Sequence, residues 1–183
     1  MSVDAVTFDL DGTLVDTAAE IAEAVNRTLV DFGLAPRPLD EITHLIGHGL
    51  HPLMTRLLQR LQAEQPALVG QLLAAEVLPA LDRHYAATVG TQARPYPGVP
   101  EALDVLLADG VRLGCVTNKE GRHARRVLEV CGLAGRLELL IAGDTLPEKK
   151  PHASVLQQAA QRLGVVPGRL AHVGDSRTDI ESA

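Results

Sequence analysis

The sequence predicts an α/β protein: a doubly wound, Rossmann-like parallel sheet with an all-α helical cap inserted after the first strand. Three observations carry that expectation. Apolar, β-branched runs of strand length recur at residues 3–8, 111–116, 137–141 and 170–173. Helical periodicity fills the gaps between the last three, and strand–helix alternation of this kind builds parallel sheets. From residue 14 to about 92 the apolar spacing is helical, with no strand signal. Residues 1–13 and 93–183 therefore read as one discontinuous core, and residues 14–92 as the inserted cap.

Taken in order, residues 3–8 form a buried strand that runs into Asp9-Leu10-Asp11-Gly12-Thr13. Thr17-Ala18-Ala19-Glu20 fits a capping box, and Ile21, Val25 and Leu29 continue the helix until Gly33. Leu39 to Ile46 reads as a short helix, ended by Gly47-His48-Gly49. Leu53, Met54, Leu57, Leu58 and Leu61 form one stripe, and Val69, Leu72, Leu73 and Val77 another, with Pro79 a kink or break before Leu81 and Tyr85. Pro95-Tyr96-Pro97-Gly98 reads as the turn back to the core. A helix from about Pro100 to Asp109 follows. Strand 111–116 then ends at Thr117-Asn118, and a helix through Ala124, Val127 and Leu128 stops at Gly132. Strand 137–141 leads into Gly143-Asp144. A helix through Val155 and Ala159 stops at Gly164, and strand 170–173 meets Gly174-Asp175-Ser176.

The 183 residues carry a formal charge of −6, and their basic residues are scattered. That argues against a nucleic-acid surface, which needs a basic stripe. Aromatics are 2% of the chain, so the core must be aliphatic. Cys115 and Cys131 belong to no C-x-x-C and read as thiols of a reducing compartment. No basic and apolar leader pattern or membrane-length apolar run is present, so the expected location is the cytoplasm, away from the membrane.

Ligands of open parallel sheets bind outside the carboxyl ends of the strands. The polar residues of interest stand at those ends: Asp9 and Asp11, Thr117 and Asn118, Lys149 and Lys150, then Asp175 with Ser176 and Asp179. Several carboxylates with no adjacent thiol suit a hard cation such as Mg²⁺. A carboxylate left off the metal can attack phosphorus, while Lys150, Thr117 and backbone N–H groups hold a dianion. Together this describes phosphoryl transfer. Each cluster alone has a blander reading as a turn, a helix cap or a solvated pair. An EF-hand reading of Asp9 to Glu20 fails because Leu14 stands where that loop needs glycine.

On these residues the chain resembles the haloacid dehalogenase superfamily of phosphohydrolases. Asp9 to Asp16 looks like its first motif, Val116-Thr117-Asn118 its second, Lys150-Pro151 its third and Gly174 to Asp179 its fourth. Within it the likeness is to the phosphoglycolate phosphatase group. That likeness rests on Tyr96-Pro97-Gly98-Val99, Thr117-Asn118-Lys119, Gly143 to His152 and the Ile46 to Gly49 loop. The resemblance implies a nucleophile at Asp9, an acid/base at Asp11 and an aspartyl-phosphate intermediate. It implies Mg²⁺ held by Asp9, the backbone carbonyl of Asp11, and Asp175, with phosphate contacts from Thr117, Asn118 and Lys150. Asp179 and Ser176 would support these from behind. The expected substrate is a small phosphorylated metabolite, above all 2-phosphoglycolate.

Substrate choice is expected in the helical insertion, with His48 and Arg56 as candidates. His44, His48 and His51 are near one another, but a polar loop explains them better than zinc. Relatives in the superfamily continue beyond the helix that follows motif four, so the resemblance implies truncation at the C-terminus and an uncovered sheet edge. Alternatives keep part of the pattern. A sugar-phosphate phosphatase or phosphomutase shares the core chemistry. A phosphonate hydrolase needs a cap lysine, and residues 14–92 contain none. A phospho-accepting signalling receiver lacks a large insertion after its first strand.

Overall fold

The structure is a computed structural model and describes residues 3–64, 66 and 74–183. Its centre is a parallel sheet built from β1 (Ala5–Phe8), β4 (Arg112–Val116), β5 (Leu139–Ile141) and β6 (Leu170–Val173), in the order β5-β4-β1-β6. Ala5–Phe8 pairs in register with Arg112–Cys115 on one side and Leu170–Val173 on the other. β1 is thus an inner strand, beside β4, and it delivers Asp9 and Asp11. Among the described residues no strand pairs with the outer edge of β6.

Alternation along β4 sorts side chains to the two faces. Leu113 and Cys115 pack with Leu103 of α5 (Val99–Ala108) and Val127 of α6 (Gly121–Val130). Val116 packs on the other face with Val155 and Ala159 of α7 (Ser154–Arg162). Helices on both faces make the sheet doubly wound, as expected. α8 (Arg177–Ser182) follows β6 and opens with a capping box in which Ser176 and Asp179 bond reciprocally.

Among the described residues, the regular structure of the segment after β1 is helical with one exception. β2 (Val15–Asp16) pairs antiparallel with β3 (Arg94–Pro95), and Leu14 and Val15 bury their side chains in the sheet core. Two residues are too few to leave a periodic trace, and they carry the chain out of the sheet and back. Beyond them lie α1 (Ala18–Asp31), α2 (Leu39–Thr43), α3 (Leu50–Glu64) and α4 (Ala74–Thr88). Their apolar stripes, including Val25, Leu29, Met54, Leu57, Leu81 and Tyr85, meet in a core of their own. Pro79 lies inside α4 without ending it. Buried Val77, Ala80 and Leu81 on either side hold the helix in place. The stripe at Val69, Leu72 and Leu73 lies outside the described residues.

The capping box expected at Thr17 and Glu20 does not form. Thr17 turns its hydroxyl to Asp11 at 2.6 Å. The Glu20 carboxylate instead accepts the backbone N–H groups of Gly90, Gln92 and Ala93. Both side chains tie α1 to the segments that frame the strand ends rather than to its own first turn.

Candidate active site

At the end of β1 the chain makes a tight turn in which Gly12 takes φ +88°. A Cβ there would lie 2.3 Å from Asp175 Oδ2, so only glycine lets the β1 turn approach the β6 turn this closely. The turn sends its two carboxylates to opposite flanks.

On the first flank Asp9 is buried, at 4% exposure. Its Oδ1 accepts the Leu10 N–H at 2.8 Å and faces Lys150 Nζ at 2.9 Å. Burial raises the Asp9 carboxyl above its ordinary value, and the Lys150 charge works against that. Lys150 also donates to Asp179 Oδ1 at 2.6 Å. His172 Nε2 lies 3.0 Å from the same Asp179 oxygen, and its Nδ1 lies 2.9 Å from the Thr7 hydroxyl. Asp179 Oδ2 takes the Ser176 N–H at 3.0 Å and the Ser176 hydroxyl. Burial alone would raise the Asp179 carboxyl, but the donors His172, Lys150 and Ser176 hold it well below its ordinary value.

The second flank is built around Asp11. Its Oδ1 accepts from Thr17 at 2.6 Å and from Lys119 Nζ at 2.7 Å, and its Oδ2 from Lys119 at 2.9 Å. Burial would lower the Lys119 ammonium, yet the Asp11 charge outweighs it and holds that group above its ordinary value. Lys119 Nζ lies 5.1 Å from the centroid of the Tyr85 ring, within reach of its π face. Tyr85 meets His123 edge-on, with centroids 4.8 Å apart and planes at 62°. The Tyr85 hydroxyl and His123 Nε2 are buried without hydrogen-bond partners. Burial raises the Tyr85 phenol far above its ordinary value and lowers the His123 imidazole.

Asp9, Asp175 and Asp179 each offer an oxygen within 4.8 Å of the others. An all-oxygen, all-carboxylate set fits a hard divalent cation. Both oxygens of Asp179 already accept hydrogen bonds, which leaves Asp9 and exposed Asp175 as the carboxylates open to an ion. Thr13 orients Asp175 through a 3.0 Å hydrogen bond. The Asp11 side chain stands with Lys119 on the other flank, so only its backbone carbonyl is left for this set.

A cavity of about 90 Å³ opens between the strand ends and the helical segment. Asp9, Asp11, Thr117, Asn118, Lys119 and Lys149 line it from the sheet side, and Gly49, His51 and Tyr85 are among the residues that face them. Lys150 lies behind Asp9, 1% exposed, whereas Lys149 lies on the wall. Two expectations need correction. The Asn118 amide donates to the carbonyls of Gly47 and Lys150, each at 3.0 Å, so its side chain braces two loops and offers no N–H to a phosphate. His48 and Arg56 do not line the cavity, because the turn at Gly47 and Gly49 presents His51 instead. Sequence reasoning missed Lys119, Tyr85, His123 and His172. One signal was available: the chain has three lysines, Lys119, Lys149 and Lys150, and all of them stand at these strand ends.

A family model described as haloacid dehalogenase-like hydrolase matches residues 6–183. The chain is 37% identical to a phosphoglycolate phosphatase of Nitrosospira multiformis over all of its own length and 79% of that protein's. It is 39% identical to a plasmid-borne phosphoglycolate phosphatase of Cupriavidus necator, over 98% of the chain and 75% of that protein. Among solved structures, one titled a predicted phosphoglycolate phosphatase, from Haemophilus somnus, superposes with a TM-score of 0.89 at 28% identity. That match covers the whole chain and 81% of the other. Among the described residues no helix is long and apolar enough to cross a membrane. With the β1 carboxylates, the Lys150 ion pairs and the β6 turn gathered at one edge of a parallel sheet, and with the match running from residue 6 to residue 183, the chain belongs to the haloacid dehalogenase-like hydrolase family.

Proposed function

We propose that this protein is a Mg²⁺-dependent phosphatase of a small phosphate monoester, 2-phosphoglycolate above all, acting in the cytoplasm. The observation that carries the reading is the division of labour at the β1 turn. Asp9 is buried against Lys150, 2.9 Å away, and Asp11 stands on the opposite flank of the same turn. The names of the relatives and the small volume of the cavity support the substrate over a sugar phosphate.

In this reading an Asp9 oxygen attacks phosphorus, the bond from phosphorus to the ester oxygen breaks, and Asp11 gives that oxygen its proton. Asp11 then takes a proton from water, whose oxygen displaces the Asp9 carboxylate and frees inorganic phosphate. Lys150 faces the charge that builds on the phosphoryl oxygens, and so do the Thr117 hydroxyl and the backbone N–H beyond it. Asp9, the Asp11 carbonyl and Asp175 would hold the Mg²⁺, which neutralises charge on the phosphoryl group when bound. Asp179 and Ser176 fix Lys150 from behind. Residues 14–92 act as a cap over the site, with the working boundary after Asp16, since Leu14 and Val15 pack with the sheet.

The test is phosphate release from 2-phosphoglycolate beside a panel of sugar phosphates, with Mg²⁺ and with EDTA. Asp9→Asn is expected to lose at least about a thousandfold in kcat, in line with removal of a covalent nucleophile. EDTA is expected to stop the reaction and Mg²⁺ to restore it. Turnover that survives either change would remove that element from the mechanism, and a preference for sugar phosphates would discard the substrate.

A further inference from the structure

Two polar atoms on the cavity wall have no role in the reaction just described. The Tyr85 hydroxyl and His123 Nε2 are both buried and both without a hydrogen-bond partner. Folded proteins leave few buried polar groups unpaired, and each such group calls for an explanation. These two come from different parts of the chain, α4 and α6, and are brought together by ring contact at 4.8 Å. They line the same cavity as Asp9 and Asp11.

We propose that the Tyr85 hydroxyl and His123 Nε2 form a carboxylate-binding subsite, which takes the acid end of the substrate while its phosphoryl group meets Asp9. The inference rests on the phosphatase reading and names the residues that would set its specificity. A phenol donates through its hydroxyl, and a neutral imidazole donates through Nε2 in one of its tautomers. A carboxylate accepts from both at once. Burial lowers the His123 imidazole and so favours the neutral ring with a single N–H, although Glu120 Oε2 lies 3.9 Å from Nε2. Lys119 and Lys149 line the same cavity and offset the carboxylates of Asp9, Asp11 and Glu120 that line it too. Lys119 is held by Asp11 through both carboxylate oxygens and also stands beside the Tyr85 hydroxyl, which can accept from that ammonium while its own hydrogen stays free to donate. The directional contacts to a carboxylate therefore fall to the Tyr85 O–H and the His123 N–H. A site with buried donors waiting for a partner rejects an analogue that lacks that partner more strongly than an apolar pocket does.

The test is calorimetric binding to the Asp9→Asn protein with Mg²⁺, using 2-phosphoglycolate and ethyl phosphate, which replaces the carboxylate by a methyl group. The first is expected to bind at least about tenfold tighter, as hydrogen bonds to a charged group require. Tyr85→Phe and His123→Phe, each added to that protein, should each remove most of the advantage. Neither change should lower the thermal midpoint, because each removes an unpaired buried atom and keeps a ring in place. A carboxylate advantage that persists in both variants would overturn the subsite. So would a midpoint that drops by several degrees with the advantage intact, since the atoms would then serve the fold. Failure of the reaction reading looks different: native protein that binds 2-phosphoglycolate through Tyr85 but releases no phosphate. If phosphate is released from both esters with no binding preference, the phosphatase stands and the subsite falls.

Discussion

The two flanks of the β1 turn are each built on a carboxylate paired with a buried lysine, yet they differ in how completely their polar groups are paired. Around Asp9, Lys150 joins two carboxylates, Asp179 receives donors on both oxygens, and His172 is bonded through both ring nitrogens. Around Asp11, the ion pair with Lys119 is complete, but the rings beyond it leave a hydroxyl and a nitrogen unmatched. A saturated network fixes its members in one arrangement. An unsaturated one keeps donors for something that arrives. On the proposed reading the attack on phosphorus belongs to the first flank. On the same reading the rest of the substrate meets the second.

The largest expected effect breaks the saturated flank. Lys150→Met leaves Asp9 and Asp179 buried and facing each other with no cation between them. The loss should be about 3–5 kcal/mol of stability, as when one member of a buried ion pair is removed. Urea denaturation at neutral pH measures it. A loss below about 1 kcal/mol would show that the network adapts, and the contrast between the flanks would lose its basis.

Lys119→Met should do less to the fold and more to the rate than its stability effect suggests. Asp11 keeps the Thr17 hydroxyl at 2.6 Å, and its side chain is 12% exposed, so water reaches the vacated oxygens. A loss of about 1.5–3 kcal/mol is expected, the range for a hydrogen bond to a charged group. Asp11 would also lose the bidentate contact that aims it. A fall of about a hundredfold in kcat follows from a misplacement near 1 Å. Equal stability losses in the two lysine variants would erase the distinction between the flanks.

How much of this was legible in the sequence follows the same division. The parallel sheet and its helices could be read because Val6, Leu113, Val116 and Ile141 sit in short apolar runs that end in polar turns. Asp9, Asp11, Lys150 and Asp175 could be named because each lies beside glycine, proline or a strand end, where the local pattern marks it, and Asp179 because it closes the run from Gly174 that resembles the fourth motif. Tyr85, His123 and His172 had no such mark. Tyr85 sits on an apolar stripe and reads as core, and His123 lies in a polar helix. Their roles arise from contacts between α4 and α6, and between His172 and α8, which no local spacing reports. The capping box at Thr17 failed for a related reason: Asp11 and the backbone at Gly90 to Ala93 offered its two side chains stronger partners. Asn118 was placed at the right strand end, but its amide is held by carbonyls of two loops that are distant in sequence.

The smallest expected effect singles out His123 by pH. The His123 imidazole is lowered from its ordinary value of 6.5, first by burial and then by Arg122. Between its folded value and 6.5 the unfolded chain binds a proton that the native chain does not, so stability rises with pH through that window and is complete above it. Asp179 is held below its ordinary value of 3.8, so its contribution is complete above 3.8 and is lost only as pH falls further. Acidification from pH 7.5 to 5 should therefore cost stability through His123 on the second flank and leave Asp179 ionised on the first; the Asp9 carboxyl, raised by burial, is common to the native protein and a His123 variant and cancels between them. His123→Phe should flatten the stability curve there relative to the native protein, by at most about 1.4 kcal/mol per pH unit for one proton. His48, also lowered by burial, remains in both proteins and cancels in the difference. Urea midpoints at pH 7.5, 6 and 5 give the comparison. If the two curves stay parallel, His123 takes up its proton in the folded state. Its Nε2 would then be open to water, and the unsaturated flank would be wetter than the ring packing implies.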